Sequence, residues 1–196
     1  MSAFLAMMFA GLNLMAPIAG VKVVSLWGLT FTAGSPLVAL SFGFLDILNN
    51  SGGGEAARGA VAAALAVRAV FYLAVIPLIL ILPARIPVPG LDSILSQSIR
   101  LFAAGWVSLW AGAMAVNTPL FSTLRDRWSG RWFFLRYLLT SIPTLLAGSL
   151  VYVVLGFWGT PTDLPALFLG TVVARLLIGA LISPLVWAGK VAIEHG

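Results

Sequence analysis

The stretch "FLDILNNSGGGEAARGAV", Phe44 to Val61, decides how the chain folds. An apolar run reaches Asp46, passes Asn49 and Asn50, meets three consecutive glycines and resumes at once as an alanine-rich segment. A phosphate-binding loop needs a lysine and a hydroxyl residue after the last glycine and a strand before the first; neither is present. The glycines read instead as a helix stop, because glycine tolerates the positive φ that ends a helix. Glu55 then opens the next helix, where the dipole favours an acid. The stretch is a polar turn between two apolar helices, and Asp46 is left inside the first.

Working outward, hydrophobic residues make up 61% of the 196 and charged residues only 9%. A soluble domain carries about 25% charged residues, so most side chains here must face lipid. Cysteine is absent and His195 is the single histidine, which argues against disulfides, thiol chemistry and histidine-based triads or metal sites. No paired carboxylates, metal cluster or nucleotide motif can be assembled from the rest. No catalytic residue, cofactor or metal is expected, and the chain is not read as an enzyme. The net charge of +5 comes from scattered basic residues, which points to membrane orientation and not to nucleic acid. The N-terminus is apolar without a basic lead-in, so it reads as a first membrane helix and not as a cleaved signal peptide.

A spanning helix needs about 20 mostly apolar residues. Six segments qualify: Ser2–Val24, Leu29–Leu48, Arg58–Leu82, Leu95–Phe121, Trp132–Trp158 and Leu164–Val191. The expected fold class is an all-α integral membrane protein of six transmembrane helices, a single domain over residues 1–196. Pro17, Pro36, Pro77, Pro119, Pro143 and Pro184 fall within helical runs, where each removes a backbone donor and can bend its helix. The polar turns are "NNSGGG", "PARIPVPGLDS", "STLRDRWSGR" and "WGTPTDLP", with Thr162 or Asp163 as the cap of the last helix. Arg58, Arg125, Arg127, Arg131, Arg136 and Lys190 gather on one side. Lys22 and Arg85, balanced by Asp92 and Asp163, lie on the other. The positive-inside rule then places both termini and the glycine turn in the cytoplasm, in a multi-pass protein of the cell inner (plasma) membrane. Ala6 with Ala10, and Ala60 with Ala64, have the spacing that lets helices approach closely in lipid. They serve packing within the chain, or docking to a second copy or an energising membrane partner.

Charges inside a span are costly unless paired or wetted, and they mark sites by default. The candidates are Lys22, Asp46, Arg68, Arg100, Arg136 and Arg175. Arg175 stands eleven residues into the last expected span with no acid beside it on that helix. A carbonyl, a water, an acid on another helix or a ligand must satisfy it; a structural pair with Asp46 is the plain alternative. Asp46 is the only carboxylate inside an expected span and can accept a bidentate donor pair. Arg68 and Arg100 are expected to snorkel to an interface or to pair locally.

This arrangement resembles the queuosine precursor transporter family, also called the vitamin-uptake-transporter-like (VUT) family. The family's asparagine and lysine of the first helix match Asn13 and Lys22, and its following block matches "GLTFTAG". Its Asp-Ile-Leu-Asn-Glu turn and Ala-Arg pair match "DILNNSGGGEAAR", with Asp46, Asn49, Gly53 and Arg58 in place. Phe121, Leu124, Arg125, Gly130, Arg136, Thr140 and Ser141 follow its pattern between the fourth and fifth helices. Arg175 stands for the lysine that precedes its Thr-Pro pair, here Ser183 and Pro184. Three family acids are replaced: Asn50 stands for the glutamate of the turn, and Asn117 (in "MAVN") and Gly148 (in "LLAG") for two aspartates.

The resemblance implies a fold like the substrate-binding component of energy-coupling-factor transporters, and import of 7-deazaguanine precursors of queuosine or a related purine-like or vitamin-like compound. Asp46 and Arg175 would bind the substrate, with Asn13, Asn49, Asn117, Arg136, Ser141 and Ser149 as polar partners. A carboxylate suits the N–H donors of a guanine edge, so the lost acids bear on the substrate. The alternatives are a substrate-binding subunit that needs a separate energising complex, and a non-transporting membrane scaffold.

Overall fold

The computed structural model describes residues 2–82, 89–128 and 132–195. Residues 83–88 and 129–131, which carry Arg85, Gly130 and Arg131 of the expected loops, lie outside them. The first helix, α1, spans Ser2–Gly20. It is followed by a hairpin where hydropathy alone predicts membrane helix. Val23–Leu26 (β1) and Leu29–Thr32 (β2) pair antiparallel, with Leu26 opposite Leu29. The connecting Trp27 and Gly28 have φ of 51° and 77°, the paired positive values of a turn that matches strand twist. Val23, Val24 and Phe31 favour strands, yet a hydropathy scale scores them as it would a membrane helix. The expected spans Ser2–Val24 and Leu29–Leu48 are therefore cut back to Gly20 and Ser35.

The next helix, α2, runs Ser35–Val70 and continues through a π-helical turn, Phe71–Val75, into α3, Ile76–Ile81. Ser35–Ile81 is 47 residues and would reach about 70 Å if straight, over twice the roughly 30 Å of a bilayer's hydrocarbon core. It is not straight. Gly53 leaves the helix at φ 81°, ψ 174°, a conformation essentially reserved for glycine. Gly34, Phe42 and Arg68 line one cavity, so the arms on either side of Gly53 must lie side by side. Of the three adjacent glycines, Gly53 alone has positive φ. The expected turn "NNSGGG" is thus a single-residue reversal.

Beyond it, α4 spans Leu91–Leu109, widens into a π segment, Trp110–Asn117, and continues as α5, Thr118–Arg127. Each wide segment ends two residues before a proline, Pro77 or Pro119, whose ring would clash with the carbonyl four residues back in regular α geometry. The helix also runs through Ser122–Arg127, expected as turn. The last two helices are α6, Phe133–Phe157, and α7, Leu164–His195. Asp163, not Thr162, caps α7, accepting from Ala166 N at 3.1 Å. Among the described residues five helices are long and apolar enough to cross a membrane, the longest being the one folded at Gly53. The chain is an all-α membrane protein with one small hairpin.

An apolar layer of Phe9, Phe42, Leu45, Val61 and Leu109 fills the middle of the bundle. A second layer, Leu5, Ile47, Leu48, Ala60 and Phe121, lies toward the Gly53 turn. Ala60 and Ala64 are buried in these layers, and Ala6 and Ala10 pack against them, so both small-residue pairs serve the chain's own packing. At the other end the hairpin is pressed against α7 and α1. A Cβ on Gly170 would overlap the backbone of Thr30, and one on Gly34 would overlap the carbonyl of Ala16.

Candidate functional site

Between the central apolar layer and the hairpin lies a chamber of about 30 Å³. Its polar lining comes from Asn13 on α1, Thr32 on β2, Arg68 on the second arm of α2, Ser108 on α4, Thr144 and Tyr152 on α6, and Arg175 on α7. Among the described residues no Asp or Glu lines it. Arg175 Nη1 donates to Ser149 Oγ at 2.8 Å, and its guanidinium stands 5.7 Å from the Tyr152 ring centre. Arg68 Nη1 donates to the Gly105 carbonyl at 3.3 Å, with the Phe102 ring 5.9 Å away. Gly105 leaves room for this head: a Cβ there would come within 2.6 Å of Arg68 Nη2, and the guanidinium would have to shift. Arg68 and Arg175 are only 2% and 3% exposed. The Nε of each has no hydrogen-bond partner among the described residues. A buried guanidinium short of partners is costly, and here two of them share one chamber.

A second polar cluster sits on the Gly53 side of the central layer. Asp46 stands one helical turn beyond Phe42 and is fully buried. Asn117, at the margin of hydrogen-bonding reach, and Arg136 stand near it, and no donor among the described residues meets either Asp46 oxygen at good hydrogen-bonding geometry. Asn49 ties α2 to α5. Its Nδ2 donates to the Thr118 carbonyl at 3.4 Å, its Oδ1 accepts from Ser122 Oγ at 3.2 Å, and its carbonyl accepts from Arg125 Nη1 at 2.9 Å. Arg136 Nη2 donates to Asn50 Oδ1 at 3.0 Å, and its guanidinium faces the Phe121 ring at 5.0 Å. Asn50 thus engages the arginine of α6 as a neutral acceptor.

The eight residues expected to form one site fall in three places. Asn13 and Arg175 line the chamber, with Ser149 behind Arg175. Asp46, Asn49, Asn117 and Arg136 form the second cluster. Ser141 lines a crevice between α2, α6 and α7 that shares Phe42, Thr144, Leu145 and Arg175 with the chamber. Asp46 and Arg175 are therefore not an ion pair; the apolar layer separates them. Arg68 does not snorkel but points inward, because Gly105 leaves room for its head. Arg100 does reach an interface, where it donates to the Trp158 carbonyl. Arg68 carried the signal that singled out Arg175: it stands ten positions into its expected span, with no acid nearby in sequence. Tyr152, Thr32 and Ser108 gave no such signal, being ordinary residues of an apolar run. At Gly148 the end of α4 passes close by: Ser108 Oγ donates to the Gly148 carbonyl at 2.6 Å, and a Cβ on Gly148 would lie 3.3 Å from that hydroxyl.

A helical membrane bundle that holds buried arginines against an internal cavity belongs to the class of polytopic proteins that handle small solutes within the bilayer. The family follows from the sequence: the profile described as "Putative vitamin uptake transporter" matches residues 32–189, and the chain belongs to that family. It is a multi-pass membrane protein of a transporter family. No curated protein and no solved structure gives a significant match.

Proposed function

We propose that this protein carries a small heterocycle, of the 7-deazaguanine or a related purine-like or vitamin-like class, inward across the cell inner membrane. The cavity lined by two buried arginines, in a chain of a vitamin-uptake family, is the observation that carries this reading. Asn13, Arg68, Tyr152 and Arg175 hold the substrate, and Ser149 fixes Arg175. The layer of Phe9, Phe42, Leu45 and Leu109 is the inner barrier and the hairpin the outer one. Asp46, Asn49, Asn117 and Arg136 line the route beyond the inner barrier, and Ser141 belongs to the wall of the crevice. Arg58, Arg125 and Arg127 lie at the Gly53 end, which the positive-inside rule assigns to the cytoplasm together with both termini.

Transport requires the two barriers to open in turn around the chamber. Its free room fits one or two waters, so it must widen for a substrate. The crevice beside Arg175, of about 220 Å³, lets Phe42, Thr144 and Leu145 move. Uptake of labelled 7-deazaguanine and of small vitamin heterocycles into liposomes holding the purified protein tests the reading. Accumulation above protein-free liposomes is expected. Uptake in whole cells but not in liposomes would assign the chain to an energised complex as its binding subunit, and no uptake in either would sink the transport reading.

A further inference from the structure

Two arginines face one chamber that no carboxylate lines among the described residues. Each donates one hydrogen bond to a neutral oxygen, of Gly105 or Ser149, and neither forms an ion pair among the described residues. A guanidinium carries five donors in a planar fork that matches a carboxylate or phosphate. Among the described residues, the acids that might have compensated them are elsewhere. Asp46 is behind the apolar layer, and Glu55, Asp92, Asp126 and Asp163 are exposed near helix ends. The aromatic faces of Phe102 and Tyr152 steady the two cations but leave the forks short of acceptors.

A neutral guanine-like edge, rich in N–H donors, would meet two more donors here. An anion would meet complementary charge in a low-dielectric space, where charge-assisted bonds are strongest. Resting on the chamber as the substrate site, we infer that the substrate carries a negative charge, a carboxylate or phosphate on the heterocycle, which bridges Arg68 and Arg175.

Matched acid and neutral probes test this with the full chain in nanodiscs, by calorimetric binding: nicotinate against nicotinamide, and 7-deazaguanine-7-carboxylate against 7-deazaguanine. The acids are expected to bind at least about tenfold more tightly than their neutral partners, the range of a hydrogen bond to a charged group. Arg175→Gln and Arg68→Gln are each expected to erase that preference, so that the acids bind no more tightly than their neutral partners. Neutral probes binding as well as the acids would overturn the charge inference and leave the transport reading standing. Silence from all four at millimolar concentration would overturn both. Nanodiscs of phosphatidylcholine and of phosphatidylglycerol separate a soluble anion from a lipid headgroup. The preference is expected in both, and its loss only in the anionic lipid would assign the arginines to headgroups. Should one arginine variant fail to fold, the other variant and the wild-type acid-to-amide ratio still decide.

Discussion

The chamber and the Asp46 cluster use the same kinds of side chain at similar burial, and differ in how charge is balanced. In the cluster, Asp46 faces Asn117 and Arg136, and the surrounding amides and carbonyls bond one another across α2, α5 and α6. In the chamber, two cations face each other's space with no anion among the described residues, and their bonds go to lone neutral oxygens. A cluster that contains both signs can persist as structure. A chamber with one sign only is incomplete until something enters it, and burying such a charge without a partner is tolerated in a membrane protein chiefly where it serves a pathway.

The largest effect should come from the unbalanced side. Arg175→Ala removes half of the chamber's charge, and transport should fall between about tenfold and a hundredfold, the equivalent of losing a charged hydrogen bond. Labelled uptake into liposomes measures it, and a loss below twofold would make the chamber a bystander. Gly53→Ala comes next and touches neither polar group. Its φ of 81° and ψ of 174° lie in a region that costs a side-chain-bearing residue about 1–3 kcal/mol. Unfolding in denaturing detergent should show that loss. Unchanged stability would mean that the reversal is held by the packed arms and not by the glycine.

Asp46→Asn separates the two regions most directly. Asp46 lies outside the chamber, so probe affinity should stay within about threefold, while the transport rate drops about tenfold as the route beyond the barrier loses its one acid, a change equal to one hydrogen bond's net worth. Thermal stability should hold or rise, because a buried acid whose oxygens meet no donor at good geometry among the described residues is replaced by a neutral isostere. A fall in affinity equal to the fall in rate would join the two regions into one site, as the sequence alone had them.

That single site was the natural reading because sequence shows which polar residues are buried in oil, not how far apart the helices carry them. Asp46, Asn49 and Arg175 were legible as residues needing partners, since a charge in an apolar run has few alternatives. Arg68 gave the same signal, and only Gly105, thirty-seven positions away, turns it inward. The reversal at Gly53 was legible from glycine's backbone freedom. The hairpin was not weighed, although Trp27 and Gly28 lie between β-favouring residues, because those residues are also apolar enough for a membrane span. Where strand and span share a composition, the turn residue decides, and its meaning depends on a packing partner, here Gly170, that lies far along the chain.

The smallest effect marks the floor of the comparison. Glu55 and Arg58 form the shortest ion pair of the described residues, Oε1 to Nη1 at 2.7 Å, directly after the Gly53 turn. By distance it outranks every contact of Arg68 and Arg175. Yet its side chains are 88% and 50% exposed, and an exposed pair three residues apart on a helix contributes only about 0.2–0.5 kcal/mol, less in salt. Glu55→Ala should therefore leave transport unchanged and lower stability by no more than that, read in the same detergent unfolding experiment as Gly53→Ala. A larger loss would show that the surface pair, and not the glycine backbone, sets the angle between the two arms of α2. Burial and missing partners, and not contact length, would then no longer rank which charges in this bundle matter.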